Sequence, residues 1–207
     1  MARVALLING GFLRAALHER LDRAVGVEDI RDVRQSILEL EPLRGAVLFR
    51  CYYYDAPPLH GVVTNPVDGS RVDLGSTAVA RGVRRLLDRL EAEPGFAVRR
   101  GVLRQQGWVL GKAAEKSRRA GPRSVEARDL VPSIAQSGVV SAMALDVATI
   151  SLKRLAEILV VVTGDAALVP ALRFAREEGL LVYTYTAGRP ICGELGKATD
   201  LVLMSSR

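Results

Sequence analysis

Residues 156–162, AEILVVV, form an uninterrupted apolar run closed by Thr163-Gly164-Asp165. A strand with one face in water alternates apolar and polar side chains; a run without alternation suits a strand whose sheet is covered on both faces. Sheets covered on both faces are the parallel ones, because their crossover connections lay helices over each side. The run therefore predicts an α/β chain built around a parallel sheet.

The flanking sequence carries the same signature. Residues 2–8 (ARVALLI) read as a buried strand stopped by the turn Asn9-Gly10-Gly11, and residues 12–24 place Leu13, Ala16, Leu17, Leu21 and Ala24 on one helical stripe. A second helix is predicted over about 27–40, and a strand over 45–53 that Tyr54-Asp55-Ala56-Pro57-Pro58 ends. Gly61, Pro66, Gly69 and Gly75 mark a long excursion at about 55–76, followed by a helix from about 77 and a strand or hairpin over 96–110. After residue 124 the apolar residues Leu130, Val131 and Ile134 lead into 139–152, a helix with few charges that is expected to be mostly buried. Helix over 168–178, strand over 180–185, a short helix over 194–198 and a last strand over 200–204 complete a single domain spanning 1–207. Alternating strands and helices give a mostly parallel sheet with right-handed crossovers. Ligands of such sheets gather beyond the C-terminal strand ends where strand order reverses, which directs attention to Asn9 and to Asp165.

Charge narrows the choice of ligand. The chain has 29 Lys and Arg against 23 Asp and Glu, a net charge of +6. The excess concentrates in a basic segment at about 111–128, where Lys112, Lys116, Arg118, Arg119, Arg123 and Arg128 face only Glu115 and Glu126. Such a segment suits a polyanion or serves as a solvated loop. No apolar run approaches the roughly 20 residues that cross a bilayer, and the first residues lack a signal-peptide pattern, so a cytoplasmic protein without a membrane partner is expected. Cys51 and Cys192 match no metal spacing and read as reduced thiols.

Several motifs taken in order resemble the NYN-domain proteins, the branch of the PIN-like nuclease fold that includes the LabA-like group. They are Leu7-Ile8-Asn9-Gly10-Gly11-Phe12-Leu13, Cys51-Tyr52-Tyr53-Tyr54-Asp55-Ala56-Pro57, Ser137-Gly138-Val139-Val140 with Ala144-Leu145-Asp146, Val162-Thr163-Gly164-Asp165 with Leu168-Val169-Pro170, and Glu194-Leu195 with Asp200. The resemblance implies a three-layer PIN-like fold with a central, mostly parallel twisted sheet and helices on both faces. It also implies metal-dependent cleavage of single-stranded RNA, with aspartates at the sheet edge holding Mg or Mn, hard ions that take oxygen ligands.

Against that family pattern the chain has lost acids. Asn9, Val140 and Ala167 stand where the family carries aspartates, which leaves Asp165 and Asp146 as the implied metal ligands, with Asn9 beside them as a carbonyl oxygen. At an effective dielectric of about 20, a carboxylate roughly 4 Å from a unit charge contributes on the order of 4 kcal/mol before desolvation, so losing three weakens metal binding by several decades. The expectation is an impaired or inactive ribonuclease that binds metal weakly. Lys112, Lys116, Arg118, Arg119, Arg123 and Tyr54 are its candidate RNA contacts. The alternatives are a non-catalytic RNA-binding or regulatory protein, or an assembly subunit that forms homo-oligomers. Without the resemblance, Asp165 reads as a helix cap, and Asp146, on an apolar helix, demands a partner or a cleft.

Overall fold

The computed structural model describes residues 1–118 and 124–204. The chain opens with β1 (Arg3–Asn9), α1 (Gly10–Leu21), α2 (Val27–Leu38) and β2 (Val47–Asp55). Next come β3 (Val62–Thr64), β4 (Arg71–Asp73), α3 (Ala78–Glu91), β5 (Phe96–Arg100), β6 (Val102–Leu110) and α4 (Lys112–Arg118). It continues through β7 (Leu130–Ser137), α5 (Val139–Leu152), β8 (Ile158–Val162), α6 (Val169–Glu177), β9 (Leu181–Tyr185), α7 (Gly193–Lys197) and β10 (Leu201–Leu203).

Six of these strands make one parallel sheet in the order β5-β2-β1-β8-β9-β10. In β1, successive side chains alternate between two cores, and both are dry. Val4, Leu6 and Ile8 pack with residues of α1, α2 and α3, while Ala5 and Leu7 pack with residues of α5 and α6. The same holds for β8, in which every residue is buried, as its unbroken apolar run requires. The architecture is therefore three-layer α/β. Among the described residues no helix is long and apolar enough to cross a membrane.

The connections run outward from β1 through β2 to β5, then return to the other side of β1 as β8, β9 and β10. Strand order thus reverses between β1 and β8, whose C-terminal ends are Asn9 and Val162.

Three expectations are corrected. The apolar residues at 130–134, left without an element of their own as the approach to the helix at 139–152, form a strand: β7 pairs antiparallel with β6, and Trp108 lies opposite Pro132. Leu130, Val131 and Ile134 fit a helical interval as well as a strand, and the distant pairing decides. The excursion contains a small antiparallel hairpin, β3 with β4, and the Asn65 side chain ties it to the carbonyl of Ala127 near the start of β7. Finally, α5 buries Val139, Met143, Val147 and Ile150, yet Leu145 is 69% and Leu152 64% exposed.

Candidate functional site at the switch point

A shallow cleft of about 670 Å³ opens where strand order reverses, lined by Asn9, Phe12, Glu19, Gly164, Asp165, Ala166, Arg189 and Pro190. Each contributor is positioned by local physics. Asn9 ends β1 and caps α1, its side-chain oxygen accepting the amide of Phe12 at 3.2 Å, which satisfies one of the first-turn amides a helix leaves unpaired. Gly10 must be glycine at this turn: a Cβ there would fall 2.5 Å from Cζ of Tyr53, which is fully buried.

On the other side of the cleft, the hydroxyl of Thr163 accepts the amide of Asp165 at 3.1 Å, and the Asp165 carboxylate accepts the amide of Ala167 at 2.9 Å. Asp165 therefore caps the short helical turn at 166–168 while its side chain remains at the surface. Arg189 follows β9 after a tight turn in which Ala187 and Gly188 adopt positive φ. Its guanidinium sits 5.7 Å from the Phe12 ring and pairs with Glu19 at 2.6 Å.

Of the residues the sequence singled out, the cleft gathers Asn9 and Asp165. Val140 lies on the first turn of α5, half-buried against the second core, and Ala167 is exposed in the turn that Asp165 caps. Asp146 faces elsewhere. Its carboxylate accepts the Tyr54 hydroxyl at 2.8 Å and Nε of Arg99 at 3.0 Å, so it joins α5 to β2 and β5, across β1 from Asp165. The assignment of Tyr54 as an RNA contact is corrected: it is 0% exposed and has no ring face to offer a base, because helices cover both sides of β2. Burial, then the Asp146 charge, hold its phenol proton far above the usual range. Lys112 and Lys116 are exposed on α4, and Arg118 is its last residue; Arg119 and Arg123 lie outside the described residues.

The sequence reading missed Phe12, Glu19 and Arg189 on the cleft wall. Phe12 and Glu19 are seven residues apart on α1, a spacing that returns to the same helix face, and Arg189 follows the C-terminal end of a sheet strand as Asn9 and Asp165 do. It also passed over Asp55. This carboxylate ends β2 at 2% exposure, grips Arg14 through bonds of 2.8 and 3.1 Å, and accepts the amide of Ala56. Burial opposes charge on Arg14, but the Asp55 bond and charge outweigh it and leave the guanidinium more basic than usual.

The residues do not fit the divalent ion that the family resemblance implies. Of the carboxylates lining the cleft, Asp165 caps a turn and Glu19 is paired with Arg189. Among the described residues no group of three or more His, Cys, Asp or Glu side chains is placed to hold a metal. A magnesium site needs several converging oxygens in near-octahedral array, and the Asn9 oxygen is already committed to Phe12.

Fold and cleft together define a three-layer α/β protein with a switch-point cleft whose acids are occupied by structural bonds. No family model matches the chain, and no curated protein sequence matches it either. Among solved structures it is similar to a protein of unknown function from Vibrio parahaemolyticus RIMD 2210633, with a TM-score of 0.53 and 11% identity over 98% of this chain and 92% of that one. That likeness concerns the fold alone.

Proposed function

We propose that this chain is a non-hydrolytic relative of the NYN and PIN-like ribonucleases that binds single-stranded RNA without cutting it. One observation carries the reading: around the sheet's C-terminal edge, each retained acid is already engaged by the protein itself. Asp55 holds Arg14, Asp146 holds Arg99 and Tyr54, Glu19 holds Arg189, and Asp165 caps a turn. What remains is attraction for a polyanion. The net charge of +6 and the exposed Lys112 and Lys116 beside further basic residues support it, since cations on a surface draw phosphates and release their counterions.

The test is fluorescence anisotropy with an end-labelled single-stranded RNA, followed by electrophoresis of the same RNA after incubation with Mg²⁺ or Mn²⁺. Binding is expected to weaken steeply between about 50 mM and about 200 mM salt, each neutralised phosphate contributing about 0.7 to the logarithmic slope. Substituting Lys112→Ala with Lys116→Ala should lower that slope, and the RNA should stay intact. Absence of binding at the lowest salt refutes RNA as the ligand. Cleavage that needs Mn²⁺ and disappears in Asp165→Asn refutes the non-hydrolytic assignment.

A further inference from the structure

We propose that the trough between α1 and α3 binds an aliphatic monocarboxylate, its chain lying in the trough and its head group at Arg85. The site is separate from the switch-point cleft and from the basic segment. Both helices cover the same face of the sheet, where Leu13 and Leu17 of α1 and Leu86, Leu87 and Leu90 of α3 share one core. Toward solvent they part. A cavity of about 460 Å³ opens between them, walled by Ala15 and His18 on one side and by Val79, Gly82, Val83 and Leu86 on the other. It continues into a second depression of about 290 Å³, with which it shares Ala24, Val25, Gly82 and Leu86. Concave sites of several hundred Å³, mainly apolar and with a few polar groups, are the usual form in which proteins take small molecules.

Gly82 keeps the trough open. It lies inside α3, where glycine weakens a helix relative to alanine, and no close approach of the chain requires it. Among the described residues, a Cβ at this position would have nothing within 4 Å. The missing side chain therefore makes room for something other than a neighbouring element of the fold. Together with Ala15 on the facing wall, it leaves a slot suited to a slim apolar body.

The charges specify the head group. Arg14 is held by Asp55, Arg23 by Asp29 and Arg89 by Glu28, and Nδ1 of His18 lies 3.0 Å from the carbonyl oxygen of Arg23. Of the charged residues lining the trough, Arg85 alone has neither an ion pair nor a hydrogen bond among the described residues. One uncompensated guanidinium suits one anionic head, and its planar fork matches a carboxylate; a polyanion draws instead on many cations. Arg85 follows Gly82 by three residues, so both lie on the same side of α3. From Arg85 back to Ala78 the wall runs about 10 Å at about 1.5 Å per residue, the reach of an extended chain of about eight carbons joined by bonds of about 1.5 Å.

Isothermal titration calorimetry of the full chain with butanoate, hexanoate, octanoate and dodecanoate tests the proposal. One molecule per chain is expected, with affinity rising about two- to fourfold per added methylene up to octanoate and levelling off beyond about ten carbons. Octylammonium, with the same chain and the opposite charge, should bind at least about tenfold more weakly. Gly82→Leu fills the trough from α3 and should weaken octanoate binding about tenfold or more, while the melting temperature holds or rises, since leucine is the better helix former and its Cβ meets no neighbour. Ala15→Leu, at an exposed position of α1, should weaken it from the other wall. Arg85→Gln should weaken it about three- to fivefold and erase the preference over octylammonium. The proposal is overturned if octanoate shows no saturable binding up to about 1 mM, if affinity ignores chain length, if a folded filling variant binds as the parent does, or if Arg85→Gln retains full affinity. The two filling variants keep every basic residue, so their RNA affinity should match the parent's, and a failure of RNA binding leaves this site untouched.

Discussion

Replacing Arg14 by methionine isolates the ion pair that fastens α1 to the end of β2. The Asp55 side chain is 3% exposed and that of Arg14 is 26% exposed, so the substitution leaves a nearly dry carboxylate with the amide of Ala56 at 2.8 Å and the distant Tyr53 hydroxyl at 3.5 Å. Removing one partner of a buried pair costs about 3–5 kcal/mol, because the other charge remains desolvated. The partial exposure of Arg14 admits water and places the expected loss near the lower end, about 3 kcal/mol. With a urea slope of about 2 kcal/mol per molar, the unfolding midpoint should fall by about 1.5 M. Arg14→Met combined with Asp55→Asn removes both charges and should recover more than half of that loss, whereas Asp55→Asn alone leaves a guanidinium that can turn to water. Equilibrium urea unfolding of the four proteins completes a double-mutant cycle. A loss under about 1 kcal/mol for Arg14→Met, or a double variant no more stable than the single one, would refute the claim that Asp55 depends on Arg14.

Two glycines should respond differently to the same change. In Gly10→Ala the new methyl meets the immovable Tyr53 ring at 2.5–2.7 Å, and a loss of about 1–3 kcal/mol in chemical unfolding is expected despite alanine's better helix propensity. In Gly164→Ala the methyl meets Phe12 at 2.7 Å, but Phe12 is half-buried at the cleft rim and can swing aside, so the loss should stay under about 1 kcal/mol. Equal losses would contradict this contrast. Alkaline titration followed by tyrosinate absorbance gives a third check. Burial first, then the neighbouring Asp55 and Asp146 charges, raise the phenols of Tyr53 and Tyr54 far above the ordinary value of 10.0. A raised folded value means that the unfolded chain releases these protons first. Stability is therefore full below pH 10 and declines above it, and the last tyrosines should ionise together with unfolding.

The central strands were legible in the sequence because burial on both faces leaves a pattern that little else produces. Val4–Ile8 of β1 and Ile158–Val162 of β8 appear as unbroken apolar runs, and Asn9 at the end of β1 with Asp165 three residues beyond β8 locates the cleft. β7 was not legible, since its apolar spacing is ambiguous and its partner β6 lies 20 or more residues upstream. The engagements that set the chemistry were hidden for a similar reason. Arg14 with Asp55 spans 41 residues, Arg99 with Asp146 spans 47, and which arginine takes which acid depends on the assembled sheet. Asp55 was in plain view after three tyrosines, yet its strand-ending position revealed nothing of its burial.

Under the proposed kinship with metal-dependent nucleases, the acids missing from the family pattern and the arginine pairs have a common physical basis. Carboxylates crowded at one sheet edge repel one another unless a cation lies among them, so a metal-free fold is steadier without them. The three positions where that kinship would place aspartates can each accept an acid locally: Asn9 is an N-cap, where aspartate serves equally; Val140 is on the first turn of α5, where the helix dipole favours negative charge; Ala167 is exposed. A variant carrying Asn9→Asp, Val140→Asp and Ala167→Asp should therefore fold, melt lower than the parent in chelator, and regain stability on adding magnesium. With the ion at about ten times its dissociation constant the gain is about 1.4 kcal/mol, readable as a rise in melting temperature that the parent lacks. If the variant folds but melts identically with and without magnesium, then Asn9, Val140, Asp165 and Ala167 do not converge on a common ligand, and the proposed kinship with metal-dependent nucleases loses its chemical footing.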